Sequence, residues 1–252
     1  MRLLTLARDL KRRKARDRQQ LFVSEGVRSV EELLRSPLRV RGALMTPQLR
    51  DAPRGASLER FLRDRNVELA EVTPGEFASA AETDSPQGVL AIAEVPTRTL
   101  DQLSTDADLR LLVLDALQDP GNVGTILRTA AALGVTATVA LPGTVDLWNA
   151  KVVRSAMGAH FRHLALSCTW DELDAFRAAR AIPLWAADAG GTMVDRDAAP
   201  PRLALVVGNE GSGVSDAARE RADRLVAIPI GSTVDSLNVA VATGILLHEL
   251  RR

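Results

Sequence analysis

Short apolar runs alternate with polar and charged stretches along the whole chain, and their spacing predicts strands and helices in turn. Residues 3–19 read as a basic helix, residues 21–23 as a strand running into Glu25 and Gly26, and residues 28–34 as a helix with apolar Val30, Leu33 and Leu34. A strand follows at 40–45, a helix at 57–65, a strand at 67–72, a helix opened by Thr73 and Pro74, and a strand at 89–93. These short, mixed units predict a small α/β domain over residues 1–97. Pro96, Thr97 and the polar stretch 99–108 then mark a connection over 98–109.

From residue 110 the alternation becomes regular. Strands are predicted at 111–114, 136–141, 163–166, 183–187, 203–207 and 225–230, each bounded by Gly, Pro or Asp and continuously apolar, as strands buried on both faces are. Helices are predicted at 123–133, 147–157, 171–180 and 237–250. The order predicts a second α/β domain over 110–252, a parallel sheet with helices on both sides. In such sheets ligands lie outside the carboxyl ends of the strands, so the loops after strands are where chemistry belongs.

Composition changes this picture little: 252 residues, 46% hydrophobic and 25% charged, suffice for one large domain or two smaller ones. No apolar run approaches the ~20 residues of a membrane span, and the N-terminal sequence lacks an apolar stretch with a small-residue cleavage site. A cytoplasmic protein with no membrane partner is expected. One cysteine, Cys168, excludes an internal disulfide, and His160, His163 and His248 lack zinc-type spacing, so no metal site is expected. Cys168 follows the apolar run LALS and reads as a small buried hydrophobe.

Charge is uneven beneath a formal net of zero. Residues 1–97 hold 17 Lys/Arg against 14 Asp/Glu, whereas 98–252 hold 15 against 18. Most of the excess sits in residues 2–18, where Arg2, Arg8, Lys11, Arg12, Arg13, Lys14, Arg16 and Arg18 face only Asp9 and Asp17. Such a segment suits phosphate neutralisation, although a solvated helix face is the preferred reading of a charge run taken by itself. Scarce aromatics, 3% with no Tyr, argue against single-strand binding by base stacking.

Three strand ends carry candidate chemistry. The segment LDALQDPGNVGTILRTAAALG places a Pro-Gly turn, Asn122 as a helix cap, an apolar stripe of Val123, Ile126, Leu127, Ala130 and Leu133, and Arg128 off that stripe. The segment VVGNEGSGVS sets Gly208, Gly211 and Gly213 around Asn209 and Glu210, where glycine lets backbone approach a ligand, although a structural turn uses the same residues. Its spacing fits neither a dinucleotide fingerprint nor a phosphate loop. The segment VAIPIGSTVDSLNVAVATGILLHEL crosses a polar stretch and enters an apolar helix capped at or near Ser236, a core element or an oligomer interface.

In this order and at these strand ends, the segments resemble the SpoU/TrmH branch of the SPOUT RNA methyltransferases. D-P-G-N-x-G-x-x-x-R matches 119–128, G-x-E-G-x-G is similar to 208–213, and I-P-x followed by S-L-N-V-x-V-A matches 228–242. KVVRSAMG at 151–158 extends the likeness, and LFVSEG with EVTPGEFASAAETDSPQGVLAI resembles that family's substrate-binding extension. The resemblance implies a SPOUT domain with a deep trefoil knot behind a small α/β RNA-binding domain. It implies S-adenosyl-L-methionine in the knot near Gly208, Asn209, Gly211, Ile228, Ile230, Ser236 and Leu237. It also implies a homodimer through the knotted domain, which gives the apolar last helix a purpose.

The implied reaction transfers methyl to a ribose 2′-hydroxyl of structured rRNA or tRNA, with Arg128, Asn122, Glu210 and Asn238 as the catalytic set. A guanidinium is a poor base at neutral pH, so Arg128 is expected to stabilise the developing alkoxide or to fix the adjacent phosphate. With that reaction in hand, Arg12, Arg13 and Lys14 become the expected RNA phosphate contacts. A non-catalytic RNA-binding or ribosome-assembly protein with the same fold is the alternative, disfavoured because Asn122, Arg128, Glu210, Ser236 and Asn238 are all present. A nicotinamide oxidoreductase lacks its fingerprint loop.

Overall fold

A computed structural model describes residues 2–103, 108–195, 197 and 199–251, in two compact units. The first contains residues up to 97 together with 148–162, and the second contains 98–147 and 163 onward. The predicted connection at 98–109 is described except for 104–107, and Met1, Arg196, Ala198 and Arg252 likewise lie outside the described residues.

In the first unit, helices α1 (Arg2–Asp9) and α2 (Arg13–Gln19) precede strand β1 (Leu21–Glu25), helix α3 (Val27–Leu34) and strand β2 (Val40–Met45). Then come α4 (Pro53–Asp64), β3 (Leu69–Glu71), α5 (Pro74–Ala80) and β4 (Val89–Glu94). The four-stranded sheet has the order β1-β4-β2-β3, with β4 antiparallel to both its neighbours and β2 parallel to β3. Leu3, Leu4, Ala7 and Leu10 pack against Val23, Leu44, Phe77, Leu90 and Ile92 to form one core.

The single basic helix expected over 3–19 is two helices. Arg16 explains the break: its buried guanidinium donates to the carbonyls of Leu10 and Lys11 at 2.8 and 2.9 Å, satisfying acceptors that a continuous helix would have paired internally. Helix α5 starts at Thr73 and Pro74 as expected, and Thr73 and Glu76 close a reciprocal cap there.

In the second unit the chain runs β5 (Leu109–Leu114), α6 (Pro120–Ala132), β6 (Ala137–Ala140), then α7 (Ala150–Ser155), which packs with the first unit, then β7 (Leu164–Ser167) and α8 (Trp170–Ala178). It ends with β8 (Leu184–Met193), β9 (Arg202–Val207), α9 (Asp216–Arg221), β10 (Arg224–Ala227) and α10 (Val239–Glu249). All six strands are parallel, in the order β10-β8-β9-β5-β6-β7. Leu111, Val113, Val139 and Val206 meet Leu173, Phe176 and Ala218 on one face, and alternation sends Leu112 and Leu114 to the other. Helices α6 and α10 pack on each other, with Gly244 facing Thr129.

Two strand ends differ from expectation. Strand β8 continues past Ala187 to Met193 because, after a register shift, Thr192 and Met193 pair with Val226 and Ala227. Strand β10 stops at Ala227 rather than Ile230, since Pro229 has no N–H to give a ladder.

Residues 148–162, expected within the second domain, pack with the first unit. The Trp148 ring lies 4.5 Å from that of Phe22, Phe161 lies 6.0 Å from it, and Val152 and Val153 are fully buried. Gly158 has φ +88°, and a Cβ there would meet Glu32 Cβ at 2.6 Å. Glu32 also takes a 3.0 Å hydrogen bond from Arg162.

Candidate functional site

A cavity of about 470 Å³ opens at the carboxyl ends of β9 and β10 and the middle of β8 in the second unit. The glycine loop after β9 forms one wall. Asn209 and Gly213 exchange backbone hydrogen bonds of 2.8 and 2.9 Å, and Gly213 takes φ +70°. A Cβ on Gly208 would stand 2.2 Å from the backbone of Gly213 and Val214, so only glycine permits this closure. The Asn209 side chain locks the loop to the sheet, donating to the Ala116 carbonyl at 2.9 Å and accepting from the Gly211 and Ser212 amides. Buried Asp115 adds a second tie, accepting from the Ser215 amide at 2.7 Å.

Glu210 joins this loop to the start of α6. Its carboxylate accepts from the amides of Gln118 and Asp119 at 3.3 and 3.2 Å and from Asn122 Nδ2 at 3.2 Å. Asn238 extends the chain, donating to Asn122 Oδ1 at 3.1 Å. Partial burial pushes the Glu210 carboxyl up, but the hydrogen bonds it accepts outweigh that and hold it below the usual carboxylate range. It is therefore an anion at neutral pH, with its oxygens turned to the loop that leads into α6.

The cap expected at or near Ser236 is Asn238, which accepts from the Ala240 and Val241 amides at the start of α10. The other expected cap falls to a different residue: Asp119, not Asn122, caps α6, accepting from the Asn122 amide at 2.8 Å. The swap leaves the Asn122 side chain free to bridge Glu210 and Asn238.

The cavity wall includes Gly208, Asn209, Gly211, Ile228, Ile230, Ser236 and Leu237, and also Asn122, Glu210 and Asn238. Arg128 is not part of that wall. It stands exposed on α6, six residues and about 9 Å of helix rise beyond Asn122, with no side-chain partner among the described residues. Arg12, Arg13 and Lys14 are exposed around the start of α2 in the first unit; Arg12 pairs with Asp9 and Arg13 lies 3.7 Å from Asp17.

The lining suits an amphiphilic ligand of nucleoside size. Leu237, Ile228 and Leu246 give apolar surface, while the peptide N–H groups of Ile228, Ile230, Ser236 and Leu237 have no partner within the protein among the described residues. Free main-chain donors and acceptors beside aliphatic side chains are what a purine edge and face require. Among the described residues no group of His, Cys, Asp and Glu is placed to hold a metal ion. Sequence reasoning missed Asp188, which lines the same cavity; its signal was an acidic residue ending the apolar run LWAA.

Comparisons agree with this arrangement. Residues 110–248 match the SpoU rRNA Methylase family, and residues 5–91 match the MRM3-like substrate binding domain. The chain is 34% identical over 240 residues, 95% of its length and 92% of the relative's, to the 23S rRNA (guanosine(2553)-2′-O)-methyltransferase RlmP of Bacillus subtilis. The crystal structure of the SpoU methyltransferase AviRb from Streptomyces viridochromogenes in complex with the cofactor AdoMet superposes with a TM-score of 0.87 at 28% identity, covering 98% of this chain and 96% of that one. An AdoMet-bound rRNA methyltransferase from Sinorhizobium meliloti gives 0.84 at 27% identity, over 98% and 93%.

Proposed function

The chain belongs to the SpoU rRNA methylase family, S-adenosylmethionine-dependent enzymes that methylate the RNA ribose 2′-hydroxyl, and from that premise we propose how its residues divide the work. One observation carries the proposal: the bridge from Glu210 through Asn122 to Asn238 closes three separate strand-end segments around a single cavity. Gly208, Asn209, Gly211, Ile228, Ile230, Ser236 and Leu237 hold S-adenosylmethionine there, largely through main chain. When bound, that cofactor supplies an electrophilic methyl group.

The protein's part is placement and charge. Holding hydroxyl and methyl donor in line removes much of the entropic barrier. Arg128, a permanent cation, stabilises the oxygen as it develops negative charge or grips the neighbouring phosphate. Glu210 and Asn238 hold Asn122 in one orientation, so its amide can be aimed at the reacting groups. Arg12, Arg13 and Lys14 neutralise RNA phosphates, and their exposed ion pairs cost little to release.

The substrate we favour is 23S rRNA, the RNA named for the Bacillus subtilis relative. We also read the enzyme as a cytoplasmic homodimer whose chain after β10 is threaded into a trefoil knot. The position of Arg128 outside the cavity wall, on the helix that packs against α10 with its exposed Val241 and Ile245, supports an active site finished by a second copy. No helix among the described residues is long and apolar enough to cross a membrane. Tritium transfer from S-adenosylmethionine to total RNA, followed by 2′-O-methyl mapping in a deletion strain, tests the reaction and its target together. Label found on transfer RNA alone would replace the ribosomal assignment, and cofactor and RNA binding without transfer would favour the non-catalytic alternative.

A further inference from the structure

Asp188 stands at a place none of the motifs accounts for. It lies on β8, the strand between β9, which leads into the glycine loop, and β10, which leads into the segment 228–238. Its side chain is 18% exposed and lines the cavity. Both carboxylate oxygens are fixed: Oδ1 accepts from the Gly190 amide at 2.9 Å and Oδ2 from Arg219 Nε at 2.9 Å. Arg219 is held in turn by Asp216 at 3.2 Å, and its guanidinium lies 3.8 Å from where a Gly213 Cβ would be. The Gly190 hydrogen bond, with Arg219 opposing the effect of burial, keeps the carboxyl below its ordinary range.

A carboxylate has about four lone-pair sites, so one bond on each oxygen leaves both able to accept again. S-adenosylmethionine has three kinds of donor: a purine amine, an α-ammonium and two vicinal ribose hydroxyls. The unpaired peptides of Ile228, Ile230 and Leu237 already suit the purine edge. Arg219 neutralises Asp188, so a second cation gains little there, whereas hydroxyls need only the remaining lone pairs. The ribose sits in the middle of the cofactor, between the base and the reacting arm, and Asp188 sits on the strand between the two that lead into the cavity's loops.

We propose that Asp188 receives the ribose hydroxyls of S-adenosylmethionine and that Arg219 is its positioning residue. This rests on the methyltransferase reading. Calorimetric titration of the full chain compares S-adenosylhomocysteine with its 2′,3′-dideoxy analogue. The natural protein binds the dideoxy compound about 10- to 100-fold more weakly, the range of a hydrogen bond to a charged group. Asp188→Asn loses a similar factor for the natural ligand and little further for the dideoxy one, and Arg219→Gln loses a few-fold for the natural ligand only.

Equal binding of both ligands by the natural protein overturns the assignment, whatever the variants do. A loss in Asp188→Asn that is the same for both ligands also overturns it, since a purely structural role moves them together. Methylthioadenosine, which lacks the amino-acid arm, must show the full Asp188→Asn penalty; disappearance of the penalty would assign the carboxylate to the ammonium instead. Failure of S-adenosylhomocysteine to bind the natural protein at all would sink the methyltransferase reading itself.

Discussion

The two units use polar side chains in opposite ways. In the first, arginines are paired with nearby acids: Arg50 with Glu59 and Glu71 at 2.7 Å each, Arg63 with Glu59 at 2.8 Å, Arg54 with Glu31 at 2.6 Å. In the second, the polar contacts that matter cross long stretches of chain, as Glu210 does to Asn122 and Asn122 to Asn238. A count of basic residues therefore overstates the free positive charge of the first unit, because many of its guanidinia already have acids. The catalytic half has no basic excess, yet it brings Glu210, Asn122 and Asn238 from three separate segments to one point.

Breaking the second unit's arrangement should have the largest consequence. Arg128→Lys is expected to lower kcat about 1000-fold while S-adenosylhomocysteine affinity stays within about twofold, measured by tritium transfer and calorimetry. Parallel loss of both would place Arg128 in the cofactor site instead. In the first unit, replacing Arg12, Arg13 and Lys14 together by Gln should weaken RNA binding about 10- to 100-fold and flatten the log–log salt dependence by about 2. An unchanged slope would return these residues to the role of a solvated face.

Two pH experiments sharpen the contrast within each core. His163 is buried, its Nε2 lies 2.8 Å from Thr138 Oγ1, and burial reinforced by the Arg98 charge pushes it down to about 4. The unfolded chain takes up that proton first, so stability is full above about 6.5 and falls as pH drops toward 4. His163→Gln should remove about 2 kcal/mol of that acid sensitivity in denaturant titrations. Glu59 runs on a lower window: hydrogen bonds from Arg50 and then Arg63 hold it at about 2. Its contribution is present above about 4.5 and lost as pH falls through 2, so Glu59→Gln should cost about 1 kcal/mol at neutrality and progressively less as pH approaches 2. A penalty independent of pH would assign the loss to packing.

Much of the strand pattern was legible because strands buried on both faces are continuously apolar; β5, β6, β7 and β9 begin and end within two residues of their predicted limits. What escaped was whatever depends on a distant partner. The far half of β8, AGGTM, is glycine-rich and extended only through its pairing with β10. Helix α9 is short and largely polar, and its cap Ser215 is oriented by Asp115, a hundred residues earlier. The break between α1 and α2 depends on where one arginine points. Among candidate site residues, motif resemblance brought together positions that periodicity could not, yet it gave no hint that Asp119 would take the cap and free Asn122. Asp188 matched no motif at all.

The excursion from Trp148 to Arg162 bears on how this polypeptide can be divided. The strand-rich catalytic half surrenders fifteen residues from its middle to the other unit, which fills its own interior with them. A shortened chain beginning at residue 98 would carry Trp148, Val152, Val153 and Phe161 with nothing to cover them, while residues 1–97 alone would leave Phe22 bare. Neither half is a module that evolution or a protein engineer could exchange by a single cut, and partners for one must be chosen with the other in hand.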